Sequence, residues 1–315
     1  MYHPIWRFLC LLAVLATSAG QPIGAGESQP GQAYVFTSFH DADQKYLRFL
    51  YSFDGYHWTN VPGTFLEANV GTSKQFRDPS LRRGPDGTFH LVWTAGWHGD
   101  QGFGYASSKD LIHWSEQKFV PVMTNEPTTV NVWAPELFYD AEGKQFLIIW
   151  ASTIPGRFPD ILEKHDNNHR LYFTTTRDFK SFTPGKLFFD PGFSVIDGFI
   201  LRDGRRFVLL NKDNSRPNLN LRVAFAKSPL GPWENVSDPF TPKFTEGPCA
   251  LKIGDDWLIY FDAYREKMFG AARTRDFKSF TDATKEVSFP PEHKHGTAIA
   301  VPREILDKLL TANPR

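Results

Sequence analysis

TRDFKSFT, residues 176–183, occurs a second time without change at residues 274–281. Looser copies of this segment are SFDGYHW at 52–58, SKDLIHW at 108–114 and KSPLGPW at 227–233. Each copy joins a polar or proline-containing turn to an aromatic residue at which a strand is expected to end. These aromatic residues are Trp58, Trp114, Phe182, Trp233 and Phe280. Five copies in one chain indicate an internal repeat, which is the first feature to establish in any sequence.

A strand-like run precedes each of these turns. The five runs are QAYVFTSF, DGTFHLVWT, GKQFLIIWA, GRRFVLLN and DDWLIYF. A period of roughly fifty residues built from short antiparallel strands is typical of a β-propeller. We therefore predict an all-β fold, a propeller of five four-stranded blades. A two-sheet sandwich of the immunoglobulin type is the alternative, but it does not account for the number of repeats.

The two ends of the repeat region are expected to close the ring. HGTAIAV at 295–301 has no hairpin after it, and QAYVFTSF at 32–39 has no inner strand before it. The C-terminal strand is therefore predicted to complete the blade that the N-terminal strands begin, which removes an exposed sheet edge. We place the propeller domain at 32–301. A short helix in PREILDKLL and a tail follow at 302–315.

The first twenty residues, MYHPIWRFLCLLAVLATSAG, have the pattern of a secretory signal peptide. A basic Arg7 precedes a short apolar run, and small residues follow the run. We expect residues 1–20 to be removed, residues 21–31 to form a short linker and the mature protein to be secreted or periplasmic. Cys10 lies inside the signal peptide, so Cys249 is the one cysteine left and no intrachain disulfide is expected.

The charge balance and the motif content exclude several classes of function. The 35 basic and 35 acidic side chains give a formal net charge of zero, which offers no support for nucleic acid or a membrane surface as partner. No run outside the signal peptide approaches transmembrane length, so membrane insertion is not expected. The sequence contains no GxSxG, HExxH, CxxC or P-loop pattern. We expect a monomer that acts without a required cofactor.

Each predicted blade has a short inner segment that contains an ionisable residue. The segments are RDPSL, APELF, IDGFI, EGPCA and HGTAI, with Asp78, Glu136, Asp197, Glu246 and His295. Since the first strand of each blade lines the channel of a propeller, these five groups are expected to converge at one end of it. Burial and neighbouring like charges raise the pKa of a carboxyl group. Such a cluster indicates catalysis or cation binding rather than packing.

The ordered set RDPSL, WAPELFYD, SVIDGFIL, EGPCALK and KHGTAIAV resembles glycoside hydrolase family 43. The resemblance covers nearly the whole mature chain, and it implies a five-bladed propeller that acts on arabinose- or xylose-containing and related glycosides. It also implies the roles of three residues. Asp78 would be the general base, Glu246 the general acid, and Asp197 the residue that tunes the pKa of the acid and orients it.

These residue types suit an inverting glycosidase. In such an enzyme one carboxylic acid protonates the leaving oxygen while a carboxylate activates a water on the opposite face of the sugar. Each of these acid or base functions typically contributes about 10²–10⁴ in rate. Asp197 is expected to act by charge and hydrogen bonding, so that Glu246 stays protonated and points at the glycosidic oxygen.

Three further residues near the same strand ends are candidates for substrate binding. Trp97 and Trp133 are expected at the active-site end, where an aromatic face stacks well on a sugar ring; packing between blades is the alternative for each. Arg77 could reach substrate hydroxyls or pair with a neighbouring carboxylate. Because side chains alternate along a strand, Arg77 and Asp78 are not expected to point the same way, which argues against direct contact between Arg77 and substrate.

Glu136 and His295 each have two interpretations. Glu136 either binds a sugar hydroxyl or satisfies backbone donors where a strand starts. His295 either contacts substrate or a cation in the channel, such as a structural calcium, or is a packed and hydrogen-bonded histidine. No segment of the sequence has the spacing of calcium ligands, so the metal hypothesis has no local support.

Three functions are compatible with these features. The first is an exo-acting inverting glycosidase that releases terminal arabinofuranosyl, xylosyl or related furanosyl units, such as galactofuranosyl, from polysaccharides or oligosaccharides. The second is a non-catalytic secreted carbohydrate-binding propeller, and the third is an interaction scaffold whose channel holds a cation. The three family carboxylates favour the first. An insertion at 152–170 is expected to form a rim wall, which favours a pocket and exo action.

Overall fold

The structure is a computed structural model that describes residues 31–158 and 168–312. The predicted signal peptide at 1–20 and the centre of the predicted rim insertion at 159–167 lie outside these ranges. Within them, helix is restricted to α1 (Arg303–Thr311) and a single 3-10 turn (Thr284–Glu286). No helix in the described part of the chain is long and apolar enough to cross a membrane.

Five antiparallel sheets form the five blades of the predicted propeller. The first blade contains β1 (Gln32–His40), β2 (Asp43–Ser52), β3 (Thr59–Asn60), β4 (Leu66–Glu67) and the C-terminal β20 (Ala298–Pro302). The second contains β5 (Arg77–Arg83), β6 (Phe89–Thr94), β7 (Gly102–Ser108) and β8 (Lys118–Pro121). The third contains β9 (Trp133–Asp140), β10 (Gln145–Ser152), β11 (Arg170–Thr176) and β12 (Lys186–Phe189).

The last two blades differ in the regularity of their outer edges. The fourth contains β13 (Val195–Asp203), β14 (Arg206–Asp213) and β15 (Asn220–Ala226), and the fifth contains β16 (Thr245–Ile253), β17 (Asp256–Ala263), β18 (Met268–Thr274) and β19 (Thr281–Asp282). In the fourth blade the chain after β15 pairs through an isolated bridge between Phe225 and Glu234. The N–H of Ser237 then donates to the carbonyl of Val223 at 2.8 Å. An irregular segment thus fills the fourth position.

The ring closes as the sequence predicts. β20 pairs antiparallel with β1, so that Ala33 lies opposite Val301 and Phe36 lies opposite Ala298. The N–H of Thr37 donates to the carbonyl of Thr297 at 3.0 Å and extends this pairing by one residue. The last strand of the chain is therefore the inner strand of the first blade.

Neighbouring blades pack face to face, which explains the nearly continuous apolar runs. Every residue of β1 between its two ends is buried, because both faces of the blade are covered. The inner strands β5, β9, β13 and β16 contact one another in sequence around the ring, and β20 contacts both β16 and β5. The C-terminal helix α1 adds three buried residues to the core beside β1 and β2, namely Ile305, Leu306 and Leu309.

The repeated turn has one hydrogen-bonding pattern. In the copy at 176–183 the hydroxyl of Thr176 accepts the N–H of Phe179 at 2.9 Å, and Asp178 Oδ1 accepts the N–H groups of Lys180 and Ser181 at 2.9 Å each. The turns that begin at Ser52, Ser108 and Thr274 contain the same bonds. The fifth copy, KSPLGPW, contains a cis Gly231–Pro232 bond instead.

Candidate active site

The start of each of four inner strands departs from regular pairing in the same way. The register shifts between Arg77 and Ser80 in β5, between Trp133 and Glu136 in β9, between Ile196 and Phe199 in β13, and between Glu246 and Cys249 in β16. A residue inside each bulge has a left-handed backbone, with φ of +49° at Asp78, +46° at Ala134, +53° at Asp197 and +58° at Gly247. Positive φ is uncommon outside glycine, although aspartate tolerates it, and strain of this kind concentrates at functional sites.

A cavity of about 180 Å³ lies where these strands begin. Every site residue predicted from the sequence lines it except Glu136. The remaining lining residues are Thr94, Ile196, Lys212 and Asn214. Arg77 and Asp78 both face this cavity, contrary to the expectation from strand alternation, because the bulge at Asp78 interrupts the alternation. The repeats thus bring together most of the ionisable residues that they predict.

Asp78 is held as a carboxylate. The hydroxyl of Thr94 donates to its Oδ2 at 2.7 Å, and Nε2 of His295 lies 3.1 Å from its Oδ1. Burial acts to raise the pKa of Asp78, but the hydrogen bond from His295 and the charges of Arg77 and His295 lower it to about 2. At neutral pH this group therefore accepts protons and hydrogen bonds but has no proton to donate.

Asp197 and Glu246 form the second part of the site. Asp197 Oδ2 accepts the N–H of Gly247 at 3.0 Å, and the ammonium of Lys212 donates to Glu246 Oε2 at 2.7 Å. Burial, together with the charge of Glu246, raises the pKa of Asp197 to about 6. Burial also acts to raise the pKa of Glu246, but the positive charges of Lys212 and His295 outweigh it and lower that pKa.

The contact with Lys212 therefore favours the ionised form of Glu246 in the free protein. This differs from the expectation that Asp197 keeps Glu246 protonated. The physical reason is Lys212, whose side chain is 4% exposed and contacts the glutamate directly. An ammonium group at this distance stabilises the ionised form of Glu246.

His295 lies between two carboxylates. Its Nε2 contacts Asp78 as described, and its Nδ1 lies 3.6 Å from Asp262 Oδ2, a distance suited to charge attraction but too long for a hydrogen bond. Burial acts to lower the pKa of His295, but Asp262 and Asp78 raise it well above its ordinary value. The imidazole is therefore a cation that stabilises Asp78 in its ionised form.

Glu246, Asp262 and His295 offer ligand atoms within 4.8 Å of one another, which raises the question of a metal ion. Both carboxylates already have an ammonium partner. Nζ of Lys294 lies 3.1 Å from Asp262 Oδ2, and Nζ of Lys212 lies 2.7 Å from Glu246 Oε2. Calcium takes about six to eight oxygen ligands. A set of one imidazole and two lysine-paired carboxylates does not fit that ion, and calcium in the channel stays a prediction without support from these contacts.

An aromatic wall borders the cavity beside Asp78. The rings of Trp97 and Trp133 meet edge to face at 5.3 Å, and Nε1 of Trp133 donates to the carbonyl of Trp97 at 2.7 Å. The guanidinium of Arg77 lies 4.3 Å from the ring centroid of Trp97 and 3.1 Å from Asp41. Trp97 remains 43% exposed, so part of this side chain faces solvent at the mouth of the cavity.

Glu136 does not join the main cavity. It follows the bulge residue Ala134 by two positions and lines a smaller adjoining cavity of about 30 Å³. There Thr297 donates to its Oε2 at 3.1 Å, and Arg82 lies 3.6 Å from its Oε1. Burial raises the pKa of Glu136 to about 7, although Arg82 acts in the opposite direction. Asp78, Asp197 and His295 also line this smaller cavity, so the five predicted groups lie around two adjoining cavities and four of them line the main one.

The sequence pattern did not identify Lys212, Thr94 and Asp262. Each lies at or next to the end of a second strand of its blade, whereas the reasoning from repeats followed the inner strands. A signal was present for Lys212, because NKD interrupts the apolar run FVLLN with two opposite charges. A lysine at the end of a fully buried strand is rare unless it has a partner.

Comparisons with known proteins agree with this architecture. A family model for domains related to glycoside hydrolase family 43, described as a probable glycosyl hydrolase domain, matches residues 29–307. No curated protein matches the sequence. Among solved structures, an arabinoxylan arabinofuranohydrolase of family 43 from Bacillus subtilis is 14% identical, with a TM-score of 0.61 over 84% of this chain and 66% of that chain.

Two further structures have the same fold. The endo-arabinase from Bacteroides thetaiotaomicron VPI-5482 is 17% identical, with a TM-score of 0.58 over 79% of this chain and 92% of that chain. The α-L-arabinofuranosidase from Lactobacillus brevis is 16% identical, with a TM-score of 0.53 over 69% and 73%. At these identities the likeness concerns the fold, whereas the family model covers nearly all of the described residues. The chain belongs to the family of probable glycosyl hydrolase domains related to glycoside hydrolase family 43.

Proposed function

We propose that this protein is an inverting glycoside hydrolase in which Asp78 is the general base and Glu246 the general acid. The observation that supports this most directly is the arrangement of Asp78, Asp197 and Glu246, from three different blades, around one cavity. A binding protein gains nothing from a buried carboxyl such as Asp197, whose raised pKa reflects a cost in stability. Acid–base catalysis uses such differences in proton affinity.

In the proposed reaction the base is ready in the free protein, and the acid becomes ready when substrate binds. Asp78 is ionised and takes a proton from water as the water attacks the anomeric carbon. Substrate that displaces water from the cavity strengthens the desolvation of Glu246, which favours its protonated form. Glu246 then gives its proton to the glycosidic oxygen as the bond to the anomeric carbon breaks.

For the substrate we propose a terminal arabinofuranosyl, xylosyl or related furanosyl unit, such as galactofuranosyl. Structures of similar fold include an arabinofuranosidase, an arabinoxylan arabinofuranohydrolase and an endo-arabinase, which motivates the pentose-based choice. The exposed ring of Trp97 beside Asp78 suits stacking on a sugar. We propose exo action because the expected rim at 152–170 would close one side of the cavity into a pocket.

We also propose that the protein is exported from the cell, as expected from the signal-peptide pattern of residues 1–20.

Hydrolysis of a panel of nitrophenyl furanosides and pyranosides tests this function. Nitrophenolate leaves with little protonation, so Asp78→Ala is expected to abolish activity while Glu246→Ala retains part of it. Proton NMR of the first-formed sugar should show the opposite anomeric configuration to the substrate. Glu142→Ala is the control, because the exposed side chain of Glu142 pairs with Arg202 at the surface and does not line the cavity.

Two results would contradict the assignment. Equal residual activity in Asp78→Ala and Glu246→Ala would remove their separate roles, and retention of configuration would exclude an inverting mechanism. If the wild type were inactive on every glycoside yet bound sugars in calorimetry, the non-catalytic carbohydrate-binding propeller would replace the enzyme as the function.

A further inference from the structure

Lys212 is a cation that lines the main cavity and has no role in the proposed reaction. It lies next to the end of β14, and its side chain is 4% exposed. Its ammonium lies 2.7 Å from Glu246 Oε2 and 4.9 Å from the ring centroid of Tyr264. Burying an ammonium group is costly unless a charge and hydrogen bonds compensate it. Here the carboxylate of Glu246 and the ring of Tyr264 compensate the charge of Lys212.

The neighbouring acidic residue is not the partner of Lys212. Asp213 is paired with Arg222 at 3.0 Å and also accepts a hydrogen bond from Asn218 at 2.8 Å. The lysine side chain instead reaches from the fourth blade to Glu246 in the fifth. It donates to one oxygen of that carboxyl, Oε2.

Asp197 does not hold the side chain of Glu246, whereas Lys212 does. Asp197 bonds to the backbone N–H of Gly247, next to Glu246, and so fixes the backbone rather than the glutamate side chain. A glutamate side chain rotates about several bonds, and a displacement of about 1 Å in a reacting group can cost about 10² in rate. Some group has to hold the carboxyl itself, and the contact at Oε2 does so.

We infer that Lys212 is a positioning residue that holds Glu246 by Oε2 and so makes Oε1 the oxygen that donates to the leaving group. This inference rests on the proposed glycosidase function. An ammonium group only donates hydrogen bonds, so Oε2 acts as acceptor and the transferable proton resides on Oε1. During hydrolysis this proton moves from Oε1 to the glycosidic oxygen as the bond between that oxygen and the anomeric carbon breaks. The attacking water passes a proton to Asp78.

The test compares glycosides of one sugar whose leaving groups differ in acidity. Lys212→Met is expected to lose about 10- to 100-fold in kcat/KM on alkyl and sugar leaving groups, which need the proton. On a dinitrophenyl glycoside, whose leaving group needs little protonation, the loss should stay within about threefold. Lys212→Arg retains the charge and the donors and should recover part of the selective loss.

Lys294→Met is the matched control. Lys294 is also mostly buried and paired with a carboxylate, Asp262, but it does not line the main cavity. Any loss in this variant should be the same for all leaving groups. If Lys212→Met fails to fold, Lys212→Gln serves instead, because its amide donates a hydrogen bond without charge, and a smaller but still selective loss is expected.

A loss that is equal for every leaving group, in Lys212→Met or Lys212→Gln, would overturn the inference and reduce Lys212 to a structural ion pair. A further check uses Glu246→Gln, in which adding Lys212→Met should produce no additional selectivity. Inactivity of the wild type on every glycoside would be a failure of the proposed function instead, so the two failures are distinguishable.

Discussion

Asp78 and Asp197 occupy the same left-handed bulge in two different inner strands, yet their surroundings act on their protons in opposite ways. A hydrogen bond from His295 and the charge of Arg77 outweigh burial at Asp78 and lower its pKa to about 2. At Asp197 burial dominates, the charge of Glu246 adds to it, and the pKa rises to about 6. The ionised form of Asp78 therefore stabilises the folded state, whereas the ionised form of Asp197 destabilises it.

Replacing each aspartate by asparagine should separate these two effects. At pH 7.5 we expect Asp78→Asn to lower the free energy of unfolding by about 2 kcal/mol, because a favourable charge is lost. Asp197→Asn should raise it by about 2 kcal/mol, since an amide oxygen still accepts the N–H of Gly247 and no buried charge remains. Urea unfolding monitored by tryptophan fluorescence measures both, and destabilisation by Asp197→Asn would contradict the argument.

The pH dependence of the same variants follows from the directions of the pKa shifts. The contribution of Asp78 is complete above pH 3.8 and is lost as the pH falls through about 2. Protonated Asp197 costs the folded state nothing below pH 3.8. The destabilisation by its ionised form develops as the pH rises from 3.8 and is complete above about 6. The advantage of Asp197→Asn should therefore shrink when unfolding is measured at pH 4.5 instead of 7.5, while the deficit of Asp78→Asn should stay.

The sequence predicted the inner-strand residues of the site better than their partners. Asp78, Asp197 and Glu246 occur in similar local patterns once per blade, so the repeats identify them. The partner Lys212 belongs to a second strand, and its contact with Glu246 crosses between blades, a relation that spacing along the chain does not contain. Glu136 lines a smaller cavity with Asp78, Asp197 and His295 instead of the main one, and spacing along the chain does not distinguish two adjoining cavities.

At the scale of the structural element, the repeated turn connects blades as well as strands. Phe179, in the turn at 176–183, stacks on His90 at 4.0 Å and on Tyr105 at 4.6 Å, and both of these residues belong to the preceding blade. Phe277, at the same position of the second copy, is 1% exposed and packs in the core against Trp257. The sequence predicts the turn and places the strand end at its later aromatic residue, Phe182 or Phe280, whereas Phe179 makes the contact between blades.

Phe179→Ala is expected to lower the free energy of unfolding by about 3–5 kcal/mol, because it leaves a cavity between two blades. The site lies at the strand ends around Asp78, so kcat/KM at 25 °C should change by less than about twofold if the variant is folded. Phe53→Ala is the control, since Phe53 is 40% exposed and its loss should cost less than about 1 kcal/mol. Thermal unfolding and kcat/KM measurements test this prediction. If Phe179→Ala lowered the free energy of unfolding no more than Phe53→Ala does, the stacking at Phe179 would not stabilise the fold.

At the scale of the whole molecule, stability depends on the pairing that joins the two ends of the chain. β20 supplies the inner strand of the first blade, and α1 covers the core beside β1 through Ile305, Leu306 and Leu309. The fold class and the ring closure could be predicted from the sequence because the five repeats occur in one order. The first repeat lacks an inner strand, and the C-terminal end of the repeat region has one strand without a hairpin. The irregular outer edge of the fourth blade did not follow, since KSPLGPW still resembles the other turns.

Two truncated proteins should distinguish the contribution of β20 to stability from that of α1. A protein that ends at Pro302 loses α1 and exposes part of the core, so it should fold with a lower unfolding temperature. A protein that ends at Thr297 also loses β20 and leaves the edge of β1 unpaired, so it should be insoluble or unfold without a cooperative transition. Differential scanning calorimetry of both proteins checks the prediction, and cooperative unfolding of the shorter one would show that closure is dispensable.

The pairing of Ala33 with Val301 also sets an order of events during translation. A chain made at about 5–20 residues per second needs on the order of tens of seconds between these two positions. During that interval the inner neighbour of β1 has not been synthesised, whereas every strand of the later blades has. The strand made first is therefore the last for which a final partner becomes available, and the ring cannot close before the chain has been synthesised as far as β20.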